Sequence, residues 1–140
     1  MQNTLFIGGG NMAEAIMAGL IFGGAYAKEN VYVVGNTQAR LEYLRDKFNL
    51  PDGNLGTDPT AVLKCDIVVL SVKPQILPKV LKPIQAHLND GDCTWFPLFI
   101  SLAPGWTIAQ LGVSLSTSKR QCAIARVMPN TPSTLGVGAA

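Results

Sequence analysis

Three consecutive glycines, Gly8, Gly9 and Gly10, stand near the start of the chain, between an apolar run and a segment with helical spacing. Gly8, Gly10 and Ala13 match the pattern G-x-G-x-x-[GA]. In this pattern the first glycine permits a tight turn, the second lets the backbone approach a diphosphate, and a small third residue lets the helix pack closely on the strand. Amide groups at the start of the helix then face the anion. The segment therefore predicts a dinucleotide site, and a simple reversal of the chain is the alternative.

The residues after the second apolar run indicate which dinucleotide would bind. Enzymes that use NAD usually carry an acidic residue here, which hydrogen-bonds the adenosine ribose. This chain has Asn36, Thr37 and Arg40 instead, and the first acidic residue after the second apolar run is Glu42. Asn36 and Thr37 can donate hydrogen bonds to a 2′-phosphate, and Arg40 can add a charge-assisted contact. The sequence therefore favours NADP(H), with NAD(H) possible, and a solvated Arg40 is the alternative for that residue.

Two further polar segments follow predicted strands, at the sheet edge where folds of this type bind ligands. Ser71–Gln75 (SVKPQ) follow the fourth predicted strand, and Met128–Pro132 (MPNTP) follow the sixth. Prolines on both sides of Asn130 and Thr131 restrict the backbone, which favours a preorganised loop. The alternative for both segments is that their prolines only end the strands.

The elements that would position these residues alternate between strand and helix along the chain. Short runs rich in β-branched residues predict strands over 4–7, 30–35, 55–57, 66–72, 98–102 and 123–128. Apolar residues at spacings of three and four predict helices over 12–23, 41–48, 59–64, 76–88 and from 107 onward. Pro83 makes the helix over 76–88 a weaker prediction. This alternation predicts an α/β fold with a doubly wound parallel sheet, the Rossmann-type NAD(P)-binding domain.

The composition narrows the class of protein. A length of 140 residues with 48% hydrophobic side chains fits one domain with one buried core. The net charge of +2, without a cluster of basic residues, argues against partners such as nucleic acid or an anionic membrane. No apolar run reaches the ~20 residues that span a bilayer, and the N-terminus lacks a signal-peptide pattern. We therefore expect a cytoplasmic protein.

Metal binding and nucleophilic catalysis are not indicated. The three cysteines, Cys65, Cys93 and Cys122, are far apart, and His87 is the single histidine. This spacing does not match a zinc site, and we expect the cysteines to be reduced. A Ser/His/Asp arrangement would have only His87 as its base, without a nucleophile elbow or a well-spaced acidic partner. No metal is predicted.

Four segments, FIGGGNM, SVKPQ, SLAPGWTIAQL and RVMPNTP, resemble pyrroline-5-carboxylate reductase in their order and separation. The resemblance covers essentially the whole chain, and MPNTP is its most family-specific segment. It implies NAD(P)H-dependent reduction of 1-pyrroline-5-carboxylate to L-proline, the last step of proline biosynthesis. It also implies that residues 1–140 are the cofactor-binding half of an oxidoreductase. A helical domain outside them would complete the substrate site and form a homo-oligomer, so the isolated chain is expected to be inactive.

The resemblance also assigns residues to the coenzyme. It places the pyrophosphate on the glycine-rich loop, the adenosine phosphate at the end of the second strand, and the nicotinamide side near the loops after the later strands. The candidate cofactor-binding residues are Gly8, Gly9, Gly10, Asn11, Met12, Asn36, Thr37, Arg40, Ser71, Val72, Lys73, Pro74, Leu102, Ala103, Pro104 and Asn130. No convincing acid is present, so the catalytic residues are expected outside this chain.

The sequence departs from the family pattern at several positions. Pro104 and Trp106 stand where the family usually has small or aliphatic residues. Pro59 stands where an asparagine often reaches the adenosine, which puts that contact in doubt. Two alternatives to the reductase are an NADP-binding module without turnover and a related reductase with another acceptor, such as a deazaflavin. The MPNTP segment argues against the deazaflavin.

Overall fold

The structure is a computed structural model that describes residues 2–35, 37–57, 65–90, 96–117 and 122–127. The strands are β1 (Thr4–Ile7), β2 (Val31–Val34), β3 (Leu55–Gly56), β4 (Ile67–Leu70), β5 (Leu98–Ser101) and β6 (Ile124–Arg126). The α-helices are α1 (Asn11–Phe22), α2 (Gln38–Phe48), α3 (Leu77–Leu88) and α4 (Ile108–Leu115). Short 3-10 turns cover Lys28–Asn30, Asp52–Asn54 and Pro74–Ile76. No helix in these ranges is long and apolar enough to cross a membrane.

The strands form one sheet in the order β3-β2-β1-β4-β5-β6, and every neighbouring pair is parallel. The chain first moves outward from β1 to β3 and then crosses back to β4, on the other side of β1. This order is that of the dinucleotide-binding doubly wound sheet, in which ligands bind at the carboxyl edge where the direction of winding reverses. The predicted fold class is therefore confirmed, and the reversal lies between β1 and β4.

Helices cover both faces of the sheet. On one face α1 and α2 pack against strand residues that include Phe6 and Val33. On the other face α3 and α4 pack against residues that include Leu5, Val68 and Phe99. The neighbours Leu5 and Phe6 belong to opposite cores, and their exposed fractions are only 2% and 0%. Burial on both faces explains why these strands are continuous apolar runs in the sequence.

Helix α3 continues through Pro83, which has no amide hydrogen for the helical ladder. The helix buries the stripe Leu77, Leu81, Ile84 and Leu88, and none of the four is more than 1% exposed. Burial of such a side chain stabilises by roughly 1.5–3 kcal/mol. Together the four outweigh the ~3 kcal/mol cost of an interior proline. The predicted helix is confirmed, and Pro83 does not end it.

The observed strands are shorter than predicted at several ends, because the chain turns away while single hydrogen bonds continue the ladder. Beyond β4, the Ser71 amide still donates to the Ile7 carbonyl at 2.9 Å. Beyond β5, the Leu102 amide donates to the Leu70 carbonyl at 3.0 Å. The predicted helix over 59–64 lies outside the described residues. These short extensions fix the loops that leave the carboxyl edge.

Candidate coenzyme site

A cleft of about 480 Å³ opens at the carboxyl edge of the sheet, where β1, β2 and β4 end. Its lining residues are Ile7, Gly8, Gly9, Gly10, Val34, Gly35, Thr57, Ser71, Val72, Lys73, Ile76 and Val80. The fold therefore brings the glycine-rich loop and the segment after β4 together, although they are about sixty residues apart in the chain. Among these lining residues Lys73 is the only one with a charged side chain. The cleft suits a ligand with apolar surface and an anionic group.

Gly8 makes the turn that joins β1 to the start of α1. Its φ is +100°, a conformation that other residues rarely adopt. A Cβ at this position would lie 2.7 Å from the Ser71 carbonyl oxygen and 2.9 Å from Cγ1 of Val72. The Gly8 amide donates to the Val34 carbonyl at 2.7 Å. Gly8 is thus required by the packing of the loop against β4, whether or not a ligand is bound.

Gly10 is the N-cap of α1 and has a different environment. It is exposed, its φ is −76°, and a Cβ built on it would meet nothing within 4 Å. The N-cap makes no side-chain hydrogen bond to the helix, whose first amides have no intrahelical acceptor. The open space beside Gly10 therefore adjoins the free backbone amides at the start of α1. This arrangement fits the diphosphate of a dinucleotide.

Ser71 ties the end of β4 to the glycine-rich loop. Its Oγ lies 2.9 Å from the carbonyl oxygens of both Ile7 and Gly8, which share its single hydroxyl proton. Ser71 also lines the cleft, so its predicted contact with the coenzyme stays a prediction, while its hydroxyl is directed at the loop backbone.

The loop after β5 contacts the segment after β4 through Trp106, whose indole Nε1 donates to the Pro74 carbonyl at 3.1 Å. Ala103 is buried at 2% exposure, and its amide donates to Oγ of Ser101 at 3.2 Å. Trp106 was noted in the sequence only as a departure from the family. Its hydrogen bond fixes the loop after β5, predicted to lie on the nicotinamide side, against the segment after β4, predicted to border the coenzyme. Asn130, the remaining candidate on that side, lies outside the described residues.

Arg40 takes part in an ion pair that the sequence did not predict. Its Nε donates to the Gly9 carbonyl at 2.5 Å, and its Nη2 lies 2.6 Å from Oε1 of Glu14. The guanidinium also lies 4.8 Å from the ring centroid of Tyr43. Arg40 is half-buried and makes these contacts, so it is not a freely solvated side chain on the surface of α2. Contact with a 2′-phosphate stays a prediction.

Glu14, in the first turn of α1, is surrounded by donors from α2. Tyr43 Oη donates to its Oε2 at 2.8 Å, and Lys47 Nζ pairs with the same oxygen. Desolvation of Glu14 alone would raise the pKa of its carboxyl. Hydrogen bonds from Lys47, Tyr43 and Arg40 outweigh that effect and lower the pKa from 4.5 to about 2. Glu14 is therefore ionised at neutral pH and is neutralised locally.

The other predicted residues differ in position. Thr37 is exposed at the N-cap of α2, and its side chain makes no capping hydrogen bond, so it can serve a ligand. Lys73 and Pro104 are also exposed at the carboxyl edge. Asn36 lies outside the described residues. The sequence interpretation missed Thr57, which lines the cleft just after β3, although the end of a predicted strand could have indicated it.

No catalytic or metal centre is evident in the part of the chain that the structure describes. These ranges contain no group of three His, Cys, Asp or Glu side chains that could hold a metal ion. Cys65 is buried, and desolvation, followed by the charge of Asp66, raises the pKa of its thiol to about 11. The site can bind an anion and an apolar ring, but it offers no carboxyl or imidazole for proton transfer.

The strand order, the Gly8 turn and the open N-terminus of α1 define a Rossmann-type dinucleotide-binding domain. The family model described as NADP oxidoreductase, coenzyme F420-dependent, matches residues 4–93. The chain belongs to this family.

Curated proteins named pyrroline-5-carboxylate reductase match a longer part of the chain than the family model does. Pyrroline-5-carboxylate reductase of Vibrio alginolyticus is 40% identical over 137 residues, which are 98% of this chain and 46% of that protein. The Haemophilus influenzae protein of the same name is 35% identical over 142 aligned positions, covering 100% of this chain and 48% of that one. The chain thus spans about half the length of these curated relatives. The resemblance stated from the sequence is confirmed.

Two solved structures support the same relationship. A pyrroline-5-carboxylate reductase from Coxiella burnetii has a TM-score of 0.80 and 34% identity, covering 96% of this chain and 46% of that one. The Plasmodium falciparum pyrroline carboxylate reductase, solved with NADP bound, has a TM-score of 0.73 and 29% identity. It covers 96% of this chain and 45% of that one. The shared region therefore includes nearly all of this chain and less than half of either neighbour.

Proposed function

We propose that this chain binds NADP(H) and forms the cofactor-binding half of a reductase that converts 1-pyrroline-5-carboxylate to L-proline. The observation that carries the proposal is the open backbone beside Gly10, at the N-terminus of α1 and the reversal point of the sheet. Relatives named for this reaction match 94–100% of the chain, which supports the choice of substrate.

The glycine-rich loop would hold the diphosphate. In this arrangement the backbone of Gly8, Gly9 and Gly10 allows close approach, and the first amides of α1, at Asn11 and Met12, donate to the anion. Because Gly10 carries no side chain and faces open space, the diphosphate can approach the helix without displacing protein atoms. These residues position the coenzyme and take no part in proton transfer.

The end of β2 would bind the adenosine phosphate. Thr37 presents an exposed hydroxyl there, and no acidic residue is among the described residues that line the cleft. Asn36 and Arg40 complete the predicted set, with Arg40 already engaged by Gly9 and Glu14. This chemistry favours NADP(H) over NAD(H).

The nicotinamide would lie beside the segments after β4 and β5. The first contributes Ser71, Val72, Lys73 and Pro74, and the second contributes Leu102, Ala103 and Pro104. Asn130 is proposed to reach the same end. The bound coenzyme supplies the hydride, while the chain orients the ring and excludes water from it.

Protonation and substrate binding require groups beyond the described cleft. Reduction of a cyclic imine is easier when its nitrogen is protonated, and that needs a donor or a favourable field. Within the ranges that the structure describes, the residues lining the cleft include no carboxyl or imidazole. We infer that a further domain supplies these groups and makes the whole protein a homo-oligomer. Residues 1–140 would be one nucleotide-binding domain of this cytoplasmic enzyme.

A deazaflavin-dependent reductase is the alternative that the family description raises. The family match ends at residue 93, before MPNTP, whereas the curated reductases align with 94–100% of the chain, including its later half. This difference in coverage favours the proline-forming reaction. A binding module without turnover is distinguished from both by experiment.

The test is a chimera in which residues 1–140 replace the matching part of the Vibrio alginolyticus reductase. NADPH oxidation is then followed with pyrroline-5-carboxylate, beside the isolated chain and the unaltered enzyme. We expect turnover by the chimera and coenzyme binding without turnover by the isolated chain. A folded chimera that binds NADPH but does not reduce the imine would favour the non-catalytic module. Turnover by the isolated chain would show that its substrate site is complete.

A further inference from the structure

We propose that Arg40 positions the glycine-rich loop for the coenzyme by holding the carbonyl of Gly9, independently of any contact with a 2′-phosphate. This inference rests on the proposed binding of a dinucleotide. It assigns the Nε–H of Arg40 to the orientation of one peptide group, between Gly9 and Gly10. It assigns the Nη2 group to an anchor on Glu14.

Gly9 is the member of the triple glycine that faces α2. It is buried, and a Cβ on it would lie 2.9 Å from Cδ1 of Leu44 and 3.8 Å from Cγ of Arg40. Its carbonyl oxygen is 2.5 Å from Nε of Arg40, a charge-assisted hydrogen bond. The middle of the loop is therefore held from α2, on the side away from the strand β4.

The guanidinium is itself held firmly, so it can fix the loop. Glu14 Oε1 accepts from Nη2 at 2.6 Å, and the Tyr43 ring lies 4.8 Å from the guanidinium carbon. Glu14 belongs to the first turn of α1, so Arg40 connects the Gly9 carbonyl in the loop to the first turn of the helix. A lysine could not provide two donors in this fixed planar arrangement.

The peptide geometry connects this contact to coenzyme binding. In a trans peptide the C=O and the following N–H point in opposite directions. Fixing the Gly9 carbonyl toward α2 therefore directs the Gly10 amide away from α2. The cleft is lined by the loop, β2, β4 and following segments and by no residue of α2. Arg40 thus sets the direction of a donor that would face the diphosphate.

Two substitutions with side chains of equal length separate the hydrogen bond to Gly9 from the charge of Arg40 and its ion pair with Glu14. In Arg40→Gln the Nε2 atom occupies the position along the side chain that Nε has in arginine. In Arg40→Met that position is a methyl group. Both variants lose the positive charge, the ion pair with Glu14 and any reach to a 2′-phosphate. They differ in whether a donor remains for the Gly9 carbonyl.

The assay is a fluorescence titration of the full chain with NADH, which has no 2′-phosphate. We expect Arg40→Met to raise the dissociation constant about five- to tenfold, the loss of roughly one hydrogen bond. Arg40→Gln should lose clearly less affinity than Arg40→Met, because it keeps a donor for the Gly9 carbonyl although it lacks the anchor on Glu14. Equal dissociation constants for the two variants, with the wild type binding NADH, would overturn the inference alone. A wild type that binds neither NADH nor NADPH would overturn the proposed function as well.

Lys47→Met is the matched control for a purely structural effect. Lys47 also pairs with Glu14 between α1 and α2, but it makes no contact with the loop in the described structure. Urea unfolding reports the stability of each variant beside its titration. We expect Lys47→Met to change stability as the Arg40 variants do while leaving the NADH dissociation constant unchanged. If Lys47→Met weakens NADH binding as much as Arg40→Met does, loosening of the helix pair explains both and the inference fails.

Discussion

Alanine substitutions at Gly8 and Gly10 should separate the stability of the fold from binding of the coenzyme. The two glycines are two residues apart in one loop, but their surroundings differ. Gly8 has a φ of +100° and a backbone oxygen 2.7 Å from its missing Cβ. Gly10 has a φ of −76° and no atom within 4 Å of that position. An added methyl group should therefore disturb the fold at Gly8 and the ligand at Gly10.

The magnitudes follow from these distances. At Gly8 the backbone strain costs on the order of 1–2 kcal/mol, and crowding against Ser71 and Val72 adds about 1–3 kcal/mol. We expect Gly8→Ala to lower the free energy of unfolding by about 3 kcal/mol, or the melting temperature by about 10 °C. At Gly10 the change in unfolding free energy should stay below about 0.5 kcal/mol. The Gly10 methyl group would instead occupy the space beside the diphosphate and weaken NADPH binding about tenfold or more, at least ~1.4 kcal/mol.

Thermal unfolding followed by circular dichroism and fluorescence titration with NADPH check the two effects separately. Gly10→Asp extends the series, because its carboxylate would also repel the diphosphate and should abolish measurable binding. Cys65→Ser, remote from the loop, is the control that should bind NADPH nearly as the wild type does. If Gly10→Ala and Gly10→Asp bind NADPH like the wild type, the diphosphate does not lie at this loop. If Gly8→Ala is as stable as the wild type, the contact with Ser71 does not determine the turn.

Three further predictions concern the surroundings of the site. The carboxyl of Glu14 has a pKa lowered from 4.5 to about 2, so its stabilising effect is full above pH 4.5 and is lost as the pH falls toward 2. Allowing for partial exposure, Glu14→Gln should remove about 1–2 kcal/mol of that pH-dependent stability, measured by urea unfolding between pH 2.5 and 6; an unchanged slope would contradict this. Trp106→Phe keeps an aromatic ring but loses the hydrogen bond to Pro74, and should cost about 1 kcal/mol of stability; urea unfolding would refute it by showing no loss. Pro83→Ala restores an amide to α3 and should raise the melting temperature by about 3 °C or more; a lower value in thermal unfolding would mean that the proline ring is needed for packing.

Much of the fold could be predicted because local patterns and tertiary packing agree. β1 has the same bounds, Thr4–Ile7, in the prediction and in the structure, since its apolar run ends at a glycine turn. α3 was weakened as a prediction by Pro83, but its buried stripe outweighs the lost amide. The strand order depends on which crossover goes to which side of β1. Hydrophobic periodicity carries no information about the side of β1 on which a later strand pairs. The strand order could therefore be expected only from the fold class.

The site was predictable where a local motif describes it and not where long-range contacts build it. The glycine pattern located the loop and the start of α1. The pairing of Arg40 with Glu14, 26 residues apart, has no local signature, because either residue read alone is an ordinary helix charge. Ser71 was predicted as a coenzyme contact, and the bond of its hydroxyl to the loop backbone likewise has no local signature. Its acceptors at Ile7 and Gly8 are more than sixty residues away.

The three consecutive glycines have three different physical causes, which the motif alone does not distinguish. Gly8 is required by its backbone angle and by the nearby Ser71 carbonyl, Gly9 by the 2.9 Å approach of Leu44, and Gly10 by no protein atom at all. Other surface glycines, such as Gly19 and Gly53, also face open space, so the space beside Gly10 is informative only because of its position at the start of α1. Since that space adjoins unpaired helix amides, an anion accounts for it better than a bare turn does. A turn without a ligand would explain Gly8 and Gly9 and would leave Gly10 unexplained.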